Sequence, residues 1–184
     1  MNDLLWVSSI PLAYLLYRGT KVTYNDVKAY YKNKKLDNLS DEKFDEKVKI
    51  IGVGGGGSAI VEYLSNKYPN RYDSIILNSD KRALISKDVT NKIHLEKSDD
   101  FGCGANTLCG YNLINDSVIE KLKSFINTDK KVFIFATLGG GCGSGSVRAL
   151  SQYLPMKELY IQYLLTTPFT WEGLKRTNRA NETI

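Results

Sequence analysis

The amino-acid sequence predicts an α/β fold, a Rossmann-like and mainly parallel sheet with helices on both faces. Short apolar runs alternate with segments that carry apolar residues at helical spacing, as in strands joined by crossover helices. Two of the apolar runs lead into glycine-rich segments, residues 54–57 and 139–145. Strand, glycines and helix in that order are typical of phosphate sites, because glycine lets backbone N–H groups approach an anion and the helix N-terminus adds partial positive charge. Each glycine segment is therefore a candidate anion site.

The positions of the other elements follow from the same patterns. β-Branched and aromatic residues predict strands at 48–53, 74–78, 131–137 and 159–166, with a weaker one at 91–95. Helical spacing predicts helices at 57–67, 111–127, 144–153 and from 172 onward. The carboxyl ends of parallel strands meet at one edge of a sheet, so both glycine segments are expected to serve a single ligand site.

The composition is ordinary for a globular protein, with 184 residues, 42% hydrophobic residues and a net charge of +5. The one local basic cluster, Lys32, Lys34 and Lys35, indicates a solvated helix end, so no direct nucleic-acid partner is expected. Residues 1–47 differ in character from the rest of the chain and are expected to be an N-terminal extension of unknown role. A short helix is predicted there from Thr23, and the apolar stretch over residues 4–17 is too short to span a membrane.

Three cysteines and one histidine limit the chemistry that the chain can perform. Cys103, Cys109 and Cys142 are odd in number and form no C-x-x-C pair. This pattern predicts a reducing compartment, the cytoplasm, and neither a disulfide framework nor a zinc site. The single histidine, His94, lies next to Ile93 in an apolar context, where a core or strand-edge role is expected.

Polar or small residues follow the other strands as well. Asn78-Ser79-Asp80 can orient a ribose or phosphate, or hold a magnesium ion through water, although the same tripeptide is a common turn. In the segment after the last strand, Glu172 can accept hydrogen bonds from sugar hydroxyls and Arg176 can reach a base or phosphate. Glu172 can equally stabilise a helix N-terminus.

Five motifs together resemble the nucleotide loops of FtsZ, the bacterial homologue of tubulin. They are GVGGGGS, NSDKRAL, GCGAN, GGGCGSG and TPFTWEGLKR, in that order and at similar spacing over residues 48–184. The resemblance implies a cytoplasmic domain that binds GTP or GDP, with Mg²⁺ left open. It also implies assembly with itself or with a full-length FtsZ/tubulin-like subunit, in cell division or in segregation of plasmid or phage DNA. Members of the family form head-to-tail filaments and complete their GTPase across the contact between subunits.

The resemblance also implies a role for each matching residue. The α- and β-phosphates would be met by Gly55, Gly56, Gly57 and Ser58, and the γ-phosphate by Gly104, Ala105 and Asn106. The main phosphate loop would comprise Gly140, Gly141, Cys142, Gly143 and Ser144. Ribose and guanine would meet Glu172 and Arg176, while Asn78 and Asp80 match the loop near magnesium and the phosphates.

The sequence departs from the family pattern in three places. Ala59 stands where the family commonly has asparagine, and Cys142 replaces the threonine of the tubulin signature. The chain ends at Ile184, before any counterpart of the family's central helix, catalytic acids and C-terminal domain. The domain over residues 48–184 is therefore expected to be incomplete and to bind nucleotide without a catalytic residue of its own.

Other functions stay open at this point. Gly52-x-Gly54-x-x-Gly57 fits the fingerprint of an NAD-binding Rossmann module, with Asp80 as a late candidate for the acidic ribose partner, but this leaves GGGCGSG unexplained. A P-loop NTPase is excluded, because neither glycine segment ends in Gly-Lys-Ser/Thr. A non-enzymatic alternative is a short paralogue that caps a full-length filament subunit, and another is a fragment without a stable fold.

Overall fold

The computed structural model describes residues 47–97, 101–127, 131–154 and 160–184, which form five strands and six α-helices. In chain order these are β1 (Val48–Val53), α1 (Gly54–Lys67), β2 (Tyr72–Asn78), α2 (Lys81–Ile85), β3 (Asn91–His94), α3 (Thr107–Asn112), α4 (Asp116–Ile126), β4 (Lys131–Thr137), α5 (Gly141–Tyr153), β5 (Tyr160–Thr166) and α6 (Leu174–Asn181). A 3₁₀ turn, Thr170–Glu172, precedes α6. The predicted helix from Thr23 and the apolar stretch over residues 4–17 lie outside the described residues.

All five strands are parallel and lie in the order β3-β2-β1-β4-β5. From β1 the chain builds the sheet in one direction through β2 and β3, and then returns to add β4 and β5 on the other side of β1. The strand order thus reverses between β1 and β4. In open parallel sheets, the carboxyl edge at such a switch point is where ligands bind.

Helices cover both faces of the sheet, as predicted. Ile51 belongs to a core shared with Leu122 of α4 and Leu150 of α5. The adjacent Ile50 belongs to a second core with Val61 of α1 and Leu84 of α2. Because successive side chains of a strand point to opposite faces, the two cores lie on opposite sides of β1.

The strand predictions are confirmed to within two residues, but the helix predictions are not all correct. Helices α1 and α5 begin at Gly54 and Gly141, three residues before the predicted starts at 57 and 144. Glycine is a poor helix former, and tertiary packing overrides that preference here. The predicted helix at 111–127 is two helices, because the Asn115 side chain accepts a hydrogen bond from the Val118 N–H (3.0 Å) and starts α4 anew. Helix α2 has no counterpart among the predicted helices.

The edge strands carry two partly buried polar side chains. His94 ends β3 and confirms the expected strand-edge role; its Nε2 is buried and finds no hydrogen-bond partner among the described residues. Burial raises the pKa of Tyr163, on β5, to about 12. Within the described segments, no helix combines the length and the apolar character that crossing a bilayer requires.

An alanine at Leu122 tests the packing of α4. The Leu122 side chain is fully buried in the larger core, so Leu122→Ala should lower the free energy of unfolding by about 2–5 kcal/mol in a urea titration followed by circular dichroism. Glu120, exposed on the same helix, is the control, and Glu120→Ala should change it by less than about 0.5 kcal/mol. Equal losses for the two variants would show that α4 does not pack as described.

Candidate functional site

The two glycine-rich segments are the first turns of helices that begin side by side at the switch point. Helix α1 follows β1 directly, and α5 follows β4 after residues 138–140. Gly54 has φ +71°, and a Cβ built on it would lie 2.9 Å from the backbone nitrogen of Gly143. The first turns of α1 and α5 are therefore in backbone contact, which only glycine at position 54 permits.

The six described α-helices begin in two ways: three have a side-chain cap, and α1, α5 and α6 do not. Side-chain oxygens of Asp80, Asn106 and Asn115 cap α2, α3 and α4, each accepting a backbone N–H at 2.9–3.0 Å. Helices α1 and α5 are preceded by Val53 and Gly140 and have no side-chain cap. An anion can therefore take the place of the cap at both helix N-termini.

The glycines of the site fall into two groups. At some of them a Cβ would clash with neighbouring atoms: the carbonyl oxygen of Phe135 for Gly57, the side chain of Thr137 for Gly56, and backbone oxygens for Gly141, Gly143 and Gly145. At the others, Gly55, Gly104 and Gly140, a Cβ would meet nothing within 4 Å. The first group packs the first turns of α1 and α5 against β4, the segment 104–106 and α3, and the second borders open space.

The segment 101–106 forms hydrogen bonds both to the loop after β2 and to the start of α5. Its Cys103 N–H donates to Ser79 Oγ (3.1 Å), and its Gly104 carbonyl accepts from the Gly141 N–H (2.9 Å). Gly104, Ala105 and Asn106 are exposed, although the Asn106 side-chain oxygen already caps α3. The GCGAN and GGGCGSG motifs are thus joined by a backbone hydrogen bond.

A disulfide joins Cys103 to Cys109, so the expectation of no disulfide is wrong. The chain turns within this segment and brings the two Cα atoms to 5.7 Å, inside the range that a disulfide requires. Sequence spacing alone does not reveal such a turn. The disulfide encloses Gly104, Ala105 and Asn106, while Cys142 remains free and half-buried in the first turn of α5.

The polar side chains after β2 and within the glycine helices are largely used by the protein itself. Asn78 is buried, and its Oδ1 accepts from the Asp80 N–H (3.1 Å). The buried Ser144 hydroxyl accepts from the Gly139 N–H (2.9 Å). The Ser58 hydroxyl is buried without a hydrogen-bond partner among the described residues. These contacts shape the loops, and the ligand roles expected for Asn78, Asp80, Ser58 and Ser144 remain predictions.

The motif after β5 forms the far side of the site. Glu172 accepts from the Phe169 N–H (2.9 Å) and pairs with Arg176 (2.6 Å). A Cβ on Gly139 would lie 3.0 Å from the Arg176 carbonyl, so the start of α6 lies against the GGGCGSG motif. The Arg179 side chain also donates to the Gly139 carbonyl, a contact that sequence reasoning missed because no motif marks it.

All five sequence motifs thus meet at one edge of the sheet, at its switch point. Fold and site together define a parallel α/β domain whose switch point presents a candidate anion site at the N-termini of α1 and α5. The family model described as Tubulin/FtsZ family, GTPase domain, matches residues 47–184. The chain belongs to this family.

Curated relatives agree with the family match. The chain is 31% identical over 143 residues to the mitochondrial division protein fszB of Dictyostelium discoideum, covering 76% of this chain and 39% of that protein. It is 33% identical over 138 residues to the cell division protein FtsZ of Mycoplasmopsis pulmonis, covering 74% and 35%. The chain therefore spans well under half the length of these relatives.

Solved structures show the same fold. A dimeric FtsZ of M. jannaschii superposes with a TM-score of 0.67 at 25% identity, covering 88% of this chain and 45% of that one. TubZ of Clostridium botulinum phage c-st superposes with a TM-score of 0.64 at 21% identity, covering 74% and 46%. The predicted fold class, the tubulin/FtsZ type, is confirmed.

Two glycines of α1 test the division into open and packed positions. Gly55→Ala places its methyl in open space and improves helix propensity, so the free energy of unfolding should stay the same or rise by up to about 1 kcal/mol. Gly57→Ala drives a methyl group into the Phe135 carbonyl and should lower the free energy of unfolding by about 2 kcal/mol or more. Thermal unfolding of the two variants is the measurement. A loss at position 55 as large as that at 57 would contradict the division.

Thiol titration tests the disulfide. Protein purified without reductant and then unfolded should show one reactive thiol, from Cys142, and three after reduction. Replacing Cys142 with serine should bring the unreduced count to zero. Three thiols in the unreduced protein would show that Cys103 and Cys109 are not joined.

Proposed function

We propose that residues 48–184 form a domain that binds a guanine nucleotide, GTP or GDP, at the carboxyl edge of the sheet. One observation carries the proposal: α1 and α5 begin side by side at the switch point, without side-chain caps, next to the open glycines Gly55, Gly104 and Gly140. The family match supports guanine as the base.

The phosphates would bind through the backbone. Each helix N-terminus carries roughly half an elementary positive charge and unpaired N–H groups, which favour a phosphate. Two such termini in contact suit a chain of phosphates better than one. This arrangement requires no lysine, and it tolerates Cys142 in place of the family's hydroxyl donor, because backbone N–H groups make the contacts.

The ribose and base would bind at the motif after β5. Guanine and ribose both offer hydrogen-bond donors that suit the Glu172 carboxylate. That carboxylate now pairs with Arg176, whose side chain is half-exposed. Ion pairs of this kind are worth about 0–1 kcal/mol, so a nucleotide can replace or share the pair at little cost.

The loop after β2 offers one carboxylate, that of Asp80, to a companion Mg²⁺. Asp80 uses Oδ1 to cap α2, which leaves its second carboxylate oxygen for the ion or for a water bound to it. Magnesium is commonly held by one or two carboxylates together with substrate phosphates and waters. The NAD alternative leaves the GGGCGSG motif unexplained, whereas the family match supports a guanine nucleotide.

The biological role is proposed from the relatives. The two curated relatives are named for cell division and mitochondrial division, and an FtsZ of the family is seen as a dimer. We therefore propose that this chain associates with itself or with a longer member of the family. Division and DNA segregation are the two candidate processes. The proposal is binding, and it includes no hydrolytic step by this chain alone.

Calorimetric titration of the full chain with GTP, GDP, ATP and NAD tests the proposal. Guanine nucleotides should bind to the wild type. Gly55→Ala should weaken their binding about tenfold or more while the fold stays intact, because the methyl enters the space proposed for phosphate. The surface variant Glu120→Ala is the control and should bind like the wild type. Preference for NAD, or no guanine binding by a folded chain, would overturn the proposal. Phosphate release measured in parallel reports any turnover.

A further inference from the structure

Gly139 is held by two side chains where β4 passes into the first turn of α5. Its N–H donates to Ser144 Oγ (2.9 Å), and its carbonyl accepts from Arg179 Nε (2.9 Å). Its φ is +92°, and a Cβ would lie 2.7 Å from Pro168 Cγ. The bond from Arg179 bridges forty residues of sequence and joins α6 to the start of the phosphate loop.

This bond determines the direction of a backbone donor in the proposed site. In a planar trans peptide the carbonyl and the following N–H point in opposite directions. Arg179 holds the Gly139 carbonyl toward α6, so the Gly140 N–H points to the other side. That N–H has no acceptor among the described residues, and the space beside Gly140 is open.

Without Arg179, little else would keep this peptide in one orientation. Both residues of the peptide are glycines, and glycine populates positive and negative φ about equally. A rotated peptide would turn the Gly139 carbonyl toward the open space, and a carbonyl oxygen there repels phosphate. Among the described residues, only Arg179 donates a hydrogen bond to this carbonyl.

We propose that Arg179 is a positioning residue for phosphate: it orients the Gly139-Gly140 peptide so that the Gly140 N–H faces the nucleotide. This inference rests on the proposed function and adds a residue that lies outside the five motifs' matched positions. Because α6 also carries Arg176, on the ribose and base side, one helix would fix both ends of the nucleotide.

Three variants distinguish positioning from charge. Arg179→Ala should weaken the binding of GTP and GDP about tenfold in calorimetry and leave the binding of guanosine unchanged, because guanosine has no phosphate. Arg179→Lys keeps the charge and a donor and should restore part of the loss. Lys175→Ala removes the same charge from an exposed position of α6 and should bind like the wild type.

Each contrary result has a distinct meaning. If Arg179→Ala weakens the binding of GTP and of guanosine equally, the base site is disturbed. If Lys175→Ala weakens GTP binding as much as Arg179→Ala does, the effect comes from net charge. Either result overturns the inference. So does an Arg179→Ala variant that binds like the wild type. If the wild type binds no guanine nucleotide, the proposed function fails. Amide hydrogen exchange without ligand then tests whether Arg179 orders the Gly139-Gly140 peptide. Backbone amides of residues 138–144 should exchange faster in Arg179→Ala than in the wild type, while those of residues 48–58 should not. Equal exchange over residues 138–144 would overturn the inference.

Discussion

The structure depends on how closely the backbones of α1 and α5 approach each other at the ends of β1 and β4. Gly54 lies against Gly143, and Gly57 lies against the carbonyl of Phe135, in each case with no room for a methyl group. Gly54 also has a positive φ of +71°, but Gly57 does not, so at position 57 space and not conformational freedom requires glycine. The packing sets the positions of both helix N-termini, and hence of the backbone donors in their first turns.

This arrangement has a cost that the rest of the fold offsets. Glycine within a helix is less favourable than alanine by roughly 1 kcal/mol, and α1 begins with four glycines in succession. The helices form nonetheless because Val61 and Leu150 are buried against opposite faces of the sheet. An uncapped N-terminus leaves N–H groups unpaired as well. Such departures from local preference are expected where a site has been built into a fold.

The sequence predicts some parts of this protein better than others, for identifiable reasons. Strands β1 and β4 are correctly bounded because buried parallel strands are continuous apolar runs. The starts of α1 and α5 are missed because glycine is assigned to loops by propensity. The Cys103–Cys109 disulfide and the bond from Arg179 to Gly139 depend on where the folded chain brings distant atoms, which residue spacing does not contain. The five motifs predict where the site lies, and the structure supplies its internal connections.

Those connections divide the site into a rigid half and a more adaptable half. Helices α1 and α5 are fixed by backbone packing and can hardly move apart without disrupting both cores. The exposed segment with Gly104 is held by one backbone bond to α5, by the bond from Cys103 to Ser79 and by the Cys103–Cys109 disulfide, whereas the Glu172–Arg176 pair is a solvent-accessible contact. A ligand that binds the rigid half therefore finds the backbone donors of α1 and α5 in place and can reshape only what surrounds them. Arg179 connects the two halves, because it extends from the helix that carries Arg176 to the first peptide of the GGGCGSG motif.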